Sequence, residues 1–511
     1  MRDLTEWRQG VFSADRIHQL YEHWLQQCRD KAALEDPSGT LTYAELDEAV
    51  DLAAANLASS GLRAGDRLVI VGENSNALCV LLFAASKLEA WAVICNARLS
   101  AREIDNVVGH AQPRIAAFTC AVSCDAEQHA ARLGAVKAAW SEGAIAIAQL
   151  QAERVEAAPG ASAEQQVAVI LYTSGTSGNP KGVMLTHGNL LFLAESVVRA
   201  RRLRSTDRSY GVGPYAHIAG LQQLLGALSV GATSVIQPRY SPALMADALM
   251  NKGLTVLGGV PPVWSKLFDW YQKQGVAPLA PYLRCATAGG APLTETLQAA
   301  VMHAFGVSLN NTYGMTEATP IAYTRMDRPR TDTSVGPPAV SMEVRIIRPD
   351  GVSVAPGDVG ELHVRGPAVM KGYYKNPELT AAILTSDGWL NTGDLARQDV
   401  DSALFIVGRT KELIIRSGFN VYPVEIEEIL NSHDHVTQSA VVGRNVAGDE
   451  EVVAFVEVGR PTTSDELTAF LRAHLAPYKI PSSIVIVEQL PASPTGKILK
   501  GQLREMAMAG I

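Results

Sequence analysis

The sequence is poor in residues that would stabilise a small secreted fold or bind nucleic acid. It has 6 cysteines in 511 residues, and Cys120 and Cys124 have no His or Cys pair nearby at zinc-finger spacing. We therefore expect reduced structural thiols. No long basic tract is present, and 44 basic against 52 acidic side chains give a net charge of −8. This balance argues against nucleic acid as a partner.

Long apolar runs are also missing. The first ten residues have no apolar core of the kind found in signal peptides, and the most apolar stretch, residues 77–86, is too short to span a bilayer. We expect a cytoplasmic protein without stable membrane insertion. The hydrophobic share of 47% is that of a globular protein. Because the chain is too long for one core, two or more domains are expected.

Strand patterns followed by helical patterns recur along the first three hundred residues, which predicts an α/β fold with parallel sheets covered by helices. Shorter alternating strands after about residue 340 indicate a small β-rich subdomain. The last hundred residues have the pattern of a compact α+β domain. The predicted strands are 67–72, 167–173, 254–259 and 283–290, and the helices that follow three of them are 75–90, 261–272 and 294–305.

One glycine-rich stretch follows a predicted strand directly: LYTSGTSGNPKGVMLTH, residues 171–187. Backbone N–H groups next to glycine can surround an anion because no Cβ blocks the approach, and the hydroxyl groups and Lys181 add donors and charge. The stretch is not a Walker A loop, since Lys181 follows Pro180 instead of a glycine. It predicts a phosphate-binding loop, with a plain glycine turn as the alternative.

Four further segments with similar chemistry follow in order: NNTYGMTEATP (310–320), GWLNTGDLARQD (388–399), GRTKELIIRSGFNVYPVEIEE (408–428) and PTGKILKGQLRE (494–505). Each is weak evidence alone, but the five together form a specific series. The chain resembles the adenylate-forming superfamily, which includes acyl-CoA synthetases, adenylation domains of nonribosomal peptide synthetases, and luciferases. The resemblance extends over nearly the whole chain, and RSGFNVYP is most like the acyl- and aryl-CoA ligases.

The resemblance implies an acid–thiol ligase, an AMP-forming acyl-CoA synthetase. Such an enzyme joins a carboxylate to ATP, releases pyrophosphate, and transfers the acyl group from acyl-AMP to a thiol. The implied cofactors are ATP, Mg²⁺ and coenzyme A. Because the first step brings two anions together, the site must neutralise charge.

The residues implied to bind the nucleotide fall into two groups. The phosphate loop comprises Thr173, Ser174, Gly175, Thr176, Ser177, Gly178 and Lys181. The segments beside the adenine comprise Gly289, Gly290, Ala291, Pro292, Asn311, Thr312, Tyr313, Gly314 and Met315, with the ring of Tyr313 against the base.

The implied catalytic residues carry the charges that this reaction needs. Glu317 matches the magnesium carboxylate, and one carboxylate plus phosphate oxygens is a normal Mg²⁺ site. Thr316 would bind the α-phosphate, and Lys497 would bridge the attacking carboxylate and that phosphate. The alternatives are a surface glutamate for Glu317 and, because Lys500 is nearby, an exposed tail lysine for Lys497.

Two further matches concern the ribose and the moving C-terminal domain. Asp394 would accept the ribose hydroxyls and Arg409 would be a second nucleotide contact, the alternative being an ordinary salt bridge. Lys411 matches the hinge around which the family rotates a small domain between half-reactions. Gly418 would then line the pantetheine channel. We predict an N-terminal adenylation domain, 1–410, and a mobile C-terminal lid domain, 411–511.

The acyl pocket is matched by residues 213–228, where His217 would shape access of the acid and the thiol, or else be a core histidine. This segment has no Arg or Lys, which argues against a second carboxylate. We predict a medium-size apolar or aromatic monocarboxylate as substrate. The basic run 199–204 is interpreted as a solvated helix end, with a phosphate-binding surface patch as the alternative. The apolar lining is predicted to consist of Tyr215, Ile218, Leu221, Val260 and Met315.

The thiol acceptor is the least specified part of the prediction. The chain has no carrier segment of its own, which favours free coenzyme A, and the alternative is a stand-alone adenylation enzyme that loads a carrier protein. A catalytically inactive nucleotide-binding protein is disfavoured by the intact matched residues, and an oxygenase would need an oxidisable substrate. Homodimers are common among similar enzymes, so a homodimer is also considered.

Overall fold

A computed structural model describes residues 14–141, 143–150, 162–173, 181–416, 419–446, 449–492 and 498–510. The helices in this part of the chain are α1 (Gln19–Glu22), α2 (Tyr43–Ser59), α3 (Asn76–Lys87), α4 (Ala101–Ala111), α5 (Cys124–Arg132), α6 (His187–Arg201), α7 (Ile218–Leu228), α8 (Pro242–Asn251), α9 (Pro261–Gln274), α10 (Glu295–Phe305), α11 (Pro377–Ile383), α12 (Pro423–Asn431), α13 (Ser464–His474) and α14 (Lys500–Ala509).

The strands up to residue 323 are β1 (Ala32–Asp36), β2 (Gly39–Thr42), β3 (Arg67–Gly72), β4 (Trp91–Asn96), β5 (Ile115–Thr119), β6 (Val136–Lys137), β7 (Ile145–Gln149), β8 (Val167–Thr173), β9 (Lys181–Thr186), β10 (Arg208–Gly211), β11 (Thr233–Ile236), β12 (Val256–Gly259), β13 (Cys285–Gly289), β14 (Leu309–Met315) and β15 (Ala318–Tyr323). The later strands are β16 (Glu343–Ile347), β17 (Gly360–Arg365), β18 (Gly372–Tyr373), β19 (Leu390–Gln398), β20 (Leu404–Arg409), β21 (Ile414–Arg416), β22 (Phe419–Val421), β23 (Val436–Val446), β24 (Asp449–Val458) and β25 (Ser483–Val487).

Two eight-stranded sheets form the large N-terminal part. The first has the order β15-β14-β13-β12-β10-β11-β1-β2, and the second has the order β18-β9-β8-β4-β3-β5-β7-β6. In the first sheet β14, β13, β12, β10, β11 and β1 run parallel. In the second sheet β8, β4, β3 and β5 run parallel. Parallel strands buried on both faces have long apolar runs, and every residue of β3 is buried.

Helices lie on the sheets because their apolar faces need cover, and their ends carry the expected caps. Thr42 and Glu45 form a capping box at α2, and Thr186 and Asn189 form one at α6. Helices α6 and α7 pack against each other between the sheets, and α8, α9 and α10 cover the other face of the first sheet. The first sheet is therefore enclosed on both faces.

Smaller β units follow. A four-stranded antiparallel sheet, β16-β17-β19-β20, ends at Arg409, and a three-stranded sheet, β23-β24-β25, lies with α12, α13 and α14 in the C-terminal part. Among the described buried residues, the core clusters that end at Leu404 share no member with those that begin at Ile414. The predicted fold class, a large helix-covered sheet domain plus a small C-terminal domain, is confirmed. The boundary at residue 410 stays a prediction.

Candidate active site

The candidate site lies where four parallel strands of the first sheet end. Strands β10, β12, β13 and β14 are neighbours, and they end at Gly211, Gly259, Gly289 and Met315. The residues after parallel strands meet at one edge of the sheet, which is where α/β proteins bind ligands. The topology thus brings together segments that are separated by up to a hundred residues in the sequence.

Glycine is required at the end of β13 by a close approach of the neighbouring strand. Gly289 pairs with Thr312 across β13 and β14. A Cβ on Gly289 would lie 2.4 Å from Thr312 Oγ1 and 2.8 Å from the Thr312 carbonyl oxygen. Gly290 has a positive φ of 79°, which favours glycine. The chain therefore turns away from the sheet here and presents backbone without side chains, as expected for a segment beside a flat base.

A first polar cluster joins Lys181, Tyr373 and Glu317. The Tyr373 hydroxyl donates a hydrogen bond of 2.7 Å to Glu317 Oε1, and Lys181 Nζ lies 5.9 Å from the centre of the Tyr373 ring. Burial, together with the Glu317 carboxylate, raises the pKa of Tyr373. Tyr373 therefore stays protonated as a donor and holds the Glu317 carboxylate near the start of β9, where the predicted phosphate loop ends.

A second polar cluster joins Tyr313, Asp394 and Arg409. The Tyr313 hydroxyl donates a hydrogen bond of 2.5 Å to Asp394 Oδ2, and Arg409 Nε lies 3.1 Å from Asp394 Oδ1. Asp394 and Arg409 are opposite each other in β19 and β20. Burial, together with Asp394, raises the pKa of Tyr313. The Asp394 side chain is 8% exposed and that of Arg409 is 50% exposed, so the pair lies at the rim of the site.

The other predicted residues lie as follows. Thr173 and Lys181 face each other across β8 and β9, so both ends of the predicted phosphate loop meet. His217 precedes α7 and Thr316 follows β14, and both are partly buried. Asn311, Thr312, Gly314 and Met315 belong to β14, and Ala291 and Pro292 follow Gly290. Outside the described residues lie Ser174, Gly175, Thr176, Ser177, Gly178, Gly418 and Lys497.

One sequence-based interpretation needs correction. Arg201, in the basic run 199–204, is 5% exposed, so this run is not simply a solvated helix end: the last turn of α6 packs against the interior. The predicted apolar lining stays a prediction: Tyr215 and Leu221 are fully buried between the sheets, and Ile218 is partly buried. Solvation was inferred from composition, which does not show which side of a helix faces a sheet.

Tyr373 was missed by sequence reasoning. It lies 56 residues from Glu317 in the chain, and only the pairing of β18 with β9 brings it to the site. The available signal was the pair of tyrosines in KGYYKNPE, residues 371–378, because tyrosine beside a glycine turn is unusual in an otherwise charged surface segment.

Family comparisons agree with this geometry. A model described as AMP-binding enzyme matches residues 21–374, and one described as AMP-binding enzyme C-terminal domain matches residues 425–497. The chain belongs to the AMP-binding enzyme family. The predicted superfamily is confirmed, as is the prediction of an AMP-forming ligase of the acyl- or aryl-CoA type that uses ATP, Mg²⁺ and coenzyme A.

Curated relatives of this AMP-binding enzyme match along almost the whole chain. It is 35% identical over 470 residues to a feruloyl-CoA synthase of Amycolatopsis, which covers 91% of this chain and 93% of the relative. It is 32% identical over 495 residues to the 2-succinylbenzoate–CoA ligase of Geobacillus kaustophilus, covering 95% and 97%.

A solved structure, the o-succinylbenzoate CoA synthetase of Bacillus subtilis, is also similar. With the acyl-adenylate bound, it has a TM-score of 0.80 at 28% identity and covers 95% of this chain and 97% of its own. With ATP and magnesium ion bound, the TM-score is 0.81 at 28% identity, covering 95% and 98%.

The AMP-binding enzyme has side chains that fit a magnesium ion carried by its nucleotide. Glu317 is 9% exposed, and one of its oxygens accepts the Tyr373 hydrogen bond. No group of three or more His, Cys, Asp or Glu side chains that could hold a metal is found among the described residues. A single carboxylate completed by phosphate and water oxygens is the usual arrangement for Mg²⁺ with nucleotides.

Proposed function

We propose that this chain is an ATP-dependent ligase that joins a medium-size aromatic or apolar monocarboxylic acid to coenzyme A through an acyl-AMP, releasing pyrophosphate. The observation that carries the proposal is the convergence of two clusters, Lys181–Tyr373–Glu317 and Tyr313–Asp394–Arg409, on one edge of the first sheet. These side chains come from five distant segments. Two relatives, a feruloyl-CoA synthase and an indoleacetate–CoA ligase, are named for aromatic monocarboxylic acids, and a third, the 2-succinylbenzoate–CoA ligase, is named for an aromatic acid with two carboxylates; these names support the aromatic part of the assignment.

Each residue of the first cluster is assigned a role according to its charge. Lys181 at the start of β9 would neutralise the β- and γ-phosphates, which leave as pyrophosphate. Glu317 would hold the magnesium ion, whose charge offsets that of the phosphates when bound. The Tyr373 hydroxyl keeps one Glu317 oxygen occupied and so orients the other toward the site. Thr316, next to Glu317, would donate to the α-phosphate.

The second cluster would position the nucleoside. Asp394 is an acceptor-only group that accepts from Tyr313 and pairs with Arg409, and its carboxylate oxygens would also accept the ribose hydroxyls. Because both partners are donors, the carboxylate is held in place before ATP binds. The ring of Tyr313 would then lie against the adenine, opposite the segment that begins at Gly289.

Catalysis by Lys497 and the rotation of residues 411–511 about Lys411 are part of the same proposal. Two features support a separate C-terminal body: its core clusters begin at Ile414, and the C-terminal family model begins at residue 425. In the described part of the chain, no helix could cross a membrane. Cytoplasmic location, a homodimer and the absence of nucleic-acid binding stay predictions.

The test is an acid-dependent exchange of labelled pyrophosphate into ATP, measured over straight-chain, benzoate and cinnamate panels. We expect exchange with aromatic acids, and with coenzyme A present we expect AMP, never ADP, as product. Formation of ADP, or no exchange with any acid, would contradict the proposal. Repeating the assay with a carrier protein in place of coenzyme A separates the two acceptors.

Variants of the first cluster sharpen the test. Glu317→Gln should lower the exchange rate by about 10²- to 10³-fold, the effect of removing one electrostatic stabiliser of a transition state. The matched control is Glu378→Gln, at an exposed position of α11, which should leave the rate unchanged. Equal rates for the two variants would remove Glu317 from the mechanism.

A further inference from the structure

Among the described residues, one buried arginine close to the candidate acyl pocket has no carboxylate as counter-charge. Arg201, the last residue of α6, is 5% exposed. Its Nε is buried without a hydrogen-bond partner, and within the described residues the charged or ionisable group that influences its pKa is the Cys285 thiol, not a carboxylate. A buried charge is normally paired, because desolvation without a partner is costly. The missing partner is therefore expected to be a ligand.

The surroundings of Arg201 are polar and face the same strand ends as the site. A Cβ placed on Gly258 would have three side-chain atoms within 4 Å: Gln223 Nε2 at 2.7 Å, Thr287 Oγ1 at 2.7 Å and Arg201 Nη1 at 3.7 Å. These four residues are the Arg201 cluster. They come from α6, α7, β12 and β13, so they lie between the sheet and the helices that cover its inner face.

The cluster lies inward of the strand ends that form the site. Gly258 immediately precedes the last residue of β12, and Thr287 lies two residues before Gly289 at the end of β13. Two strand residues span about 7 Å. His217 is the N-cap residue of α7, the helix that carries Gln223. An acid with its carboxylate near Thr316 and His217 and its body directed inward therefore meets the Arg201 cluster.

The unpaired atoms of the cluster specify the ligand group. Gln223 Nε2 donates a hydrogen bond of 2.7 Å to the Gly258 carbonyl, which leaves Gln223 Oε1 as a buried acceptor without a donor. Arg201 Nε is a donor without an acceptor. A hydroxyl group both donates and accepts, whereas a carboxylate only accepts. A hydroxyl therefore satisfies both atoms.

We propose that Arg201, with Gln223, determines substrate specificity by binding a hydroxyl group on the aromatic ring of the acid, at the end remote from the reacting carboxylate. This inference rests on the proposed function and narrows its substrate class to hydroxylated aromatic monocarboxylates. Burial lowers the pKa of Arg201.

The test compares matched acids that differ only at the remote ring position: 4-hydroxy, 4-methyl, unsubstituted and 4-carboxy members of the benzoate and cinnamate series. The wild-type enzyme should show a kcat/KM for the 4-hydroxy acid about 10- to 100-fold above that for the 4-methyl acid, the range for a hydrogen bond to a charged group. Arg201→Met should reduce this ratio to about 1, mainly by lowering the value for the hydroxylated acid, and Arg201→Lys should restore part of it.

Arg202→Gln is the matched control, because Arg202 is the next residue and is exposed; it should keep the wild-type ratio. A wild-type ratio near 1, or an equal loss for both acids in Arg201→Met, overturns the inference, and a preference for the 4-carboxy acid overturns the hydroxyl assignment. The ratio of kcat/KM for the 4-hydroxy and 4-methyl acids in the wild-type enzyme tests hydroxyl recognition even if a variant does not fold. If the enzyme exchanges pyrophosphate with the 4-methyl acids and shows no higher kcat/KM for the 4-hydroxy acids, this inference is rejected and the proposed function stands. If no acid supports exchange, the proposed function itself is rejected.

Discussion

Two buried arginines, one in strand β3 of the second sheet and one at the end of helix α6, have opposite environments. Arg67 in β3 is 0% exposed, and its guanidinium donates to three backbone carbonyls, those of Gly65, Ala111 and Gln112. Two of these carbonyls are at the C-terminal end of α4, where a cation also interacts well with the helix dipole. Arg201 has nearly the same burial, but its Nε has no acceptor within the part of the chain that the structure describes.

The difference in hydrogen-bond partners assigns Arg67 a structural role and Arg201 a role in ligand binding. The hydrogen bonds of Arg67 offset its desolvation within the fold, so this side chain is part of the architecture. The site around Arg201 is incomplete without a ligand. Burial and residue type alone do not distinguish the two arginines, whereas the hydrogen-bond partners do.

The largest effect is expected at Arg67. Arg67→Met leaves three carbonyls without their donor, so we expect the free energy of unfolding of the N-terminal domain to fall by about 3 kcal/mol or more. Denaturant titration followed by near-ultraviolet circular dichroism measures it. A variant as stable as the wild type would show that water can donate to these carbonyls in place of the guanidinium. The contrast drawn between Arg67 and Arg201 would then be wrong.

The next effect concerns a partly buried acid surrounded mainly by other carboxylates. Burial, then Glu425, Glu427 and Glu295, raise the pKa of Glu428 to about 7 from its ordinary 4.5, while Arg397 opposes the shift. The folded state therefore holds an extra proton between these values, and its contribution to stability is present below pH 4.5 and lost as the pH rises through 7.

Glu428→Gln should thus be more stable than the wild type by about 2 kcal/mol at pH 8, with the difference vanishing near pH 4.5. Thermal unfolding of both proteins across this pH range is the measurement. A constant difference between the two would exclude titration of Glu428 as its cause.

A smaller effect, on catalysis, is expected from removing the Tyr373 hydroxyl, a neutral donor to the buried Glu317 carboxylate. Tyr373→Phe removes the hydrogen bond to Glu317 and should cost about 1 kcal/mol in transition-state stabilisation, roughly a fivefold drop in kcat for pyrophosphate exchange. Tyr374→Phe, at the neighbouring buried tyrosine, serves as the control. If both variants exchange pyrophosphate at the wild-type rate, Tyr373 does not orient Glu317.

The smallest effect should be that of Arg201→Met on stability. No hydrogen bond of its Nε is lost, and an apolar side chain replaces a poorly compensated charge, so we expect the free energy of unfolding to change by less than about 1 kcal/mol or to rise. The same denaturant titration as for Arg67→Met compares the two. A loss as large as that for Arg67→Met would make Arg201 a structural residue.

Much of the fold could be predicted because its signals are local. The apolar runs at 67–72 and 167–173 became β3 and β8 with the predicted bounds, and the helical pattern at 75–90 became α3, Asn76–Lys87. Apolar periodicity and capping residues act over a few positions, so the sequence shows them directly. The order of strands within each sheet was not predicted, because it depends on pairings between distant segments.

The candidate site was predictable where it resembles known motifs and not elsewhere. Glu317, Asp394 and Arg409 were found by their segments, although the hydrogen bond of Tyr313 to Asp394 and that of Tyr373 to Glu317 were not predicted. Tyr373 and Arg201 were not recognised as members of the site, because nothing in their own neighbourhoods points to the residues they meet. The roles of Lys497 and Gly418 stay predictions, since both lie outside the described residues.

The sequence by itself determined the class of fold, because turns, helix caps and the periodicity of apolar residues are encoded in neighbouring residues. It also determined the family and the charged residues of the nucleotide site, because these lie in short motifs. Tertiary structure decided which of those charges meet: Tyr373 reaches Glu317 through the pairing of β18 with β9, and Arg201 enters the interior because α6 packs beside α7. The physical reason is that the role and the energetic cost of a buried polar group depend on its hydrogen-bond and charge partners. The partners of these side chains lie far away along the chain.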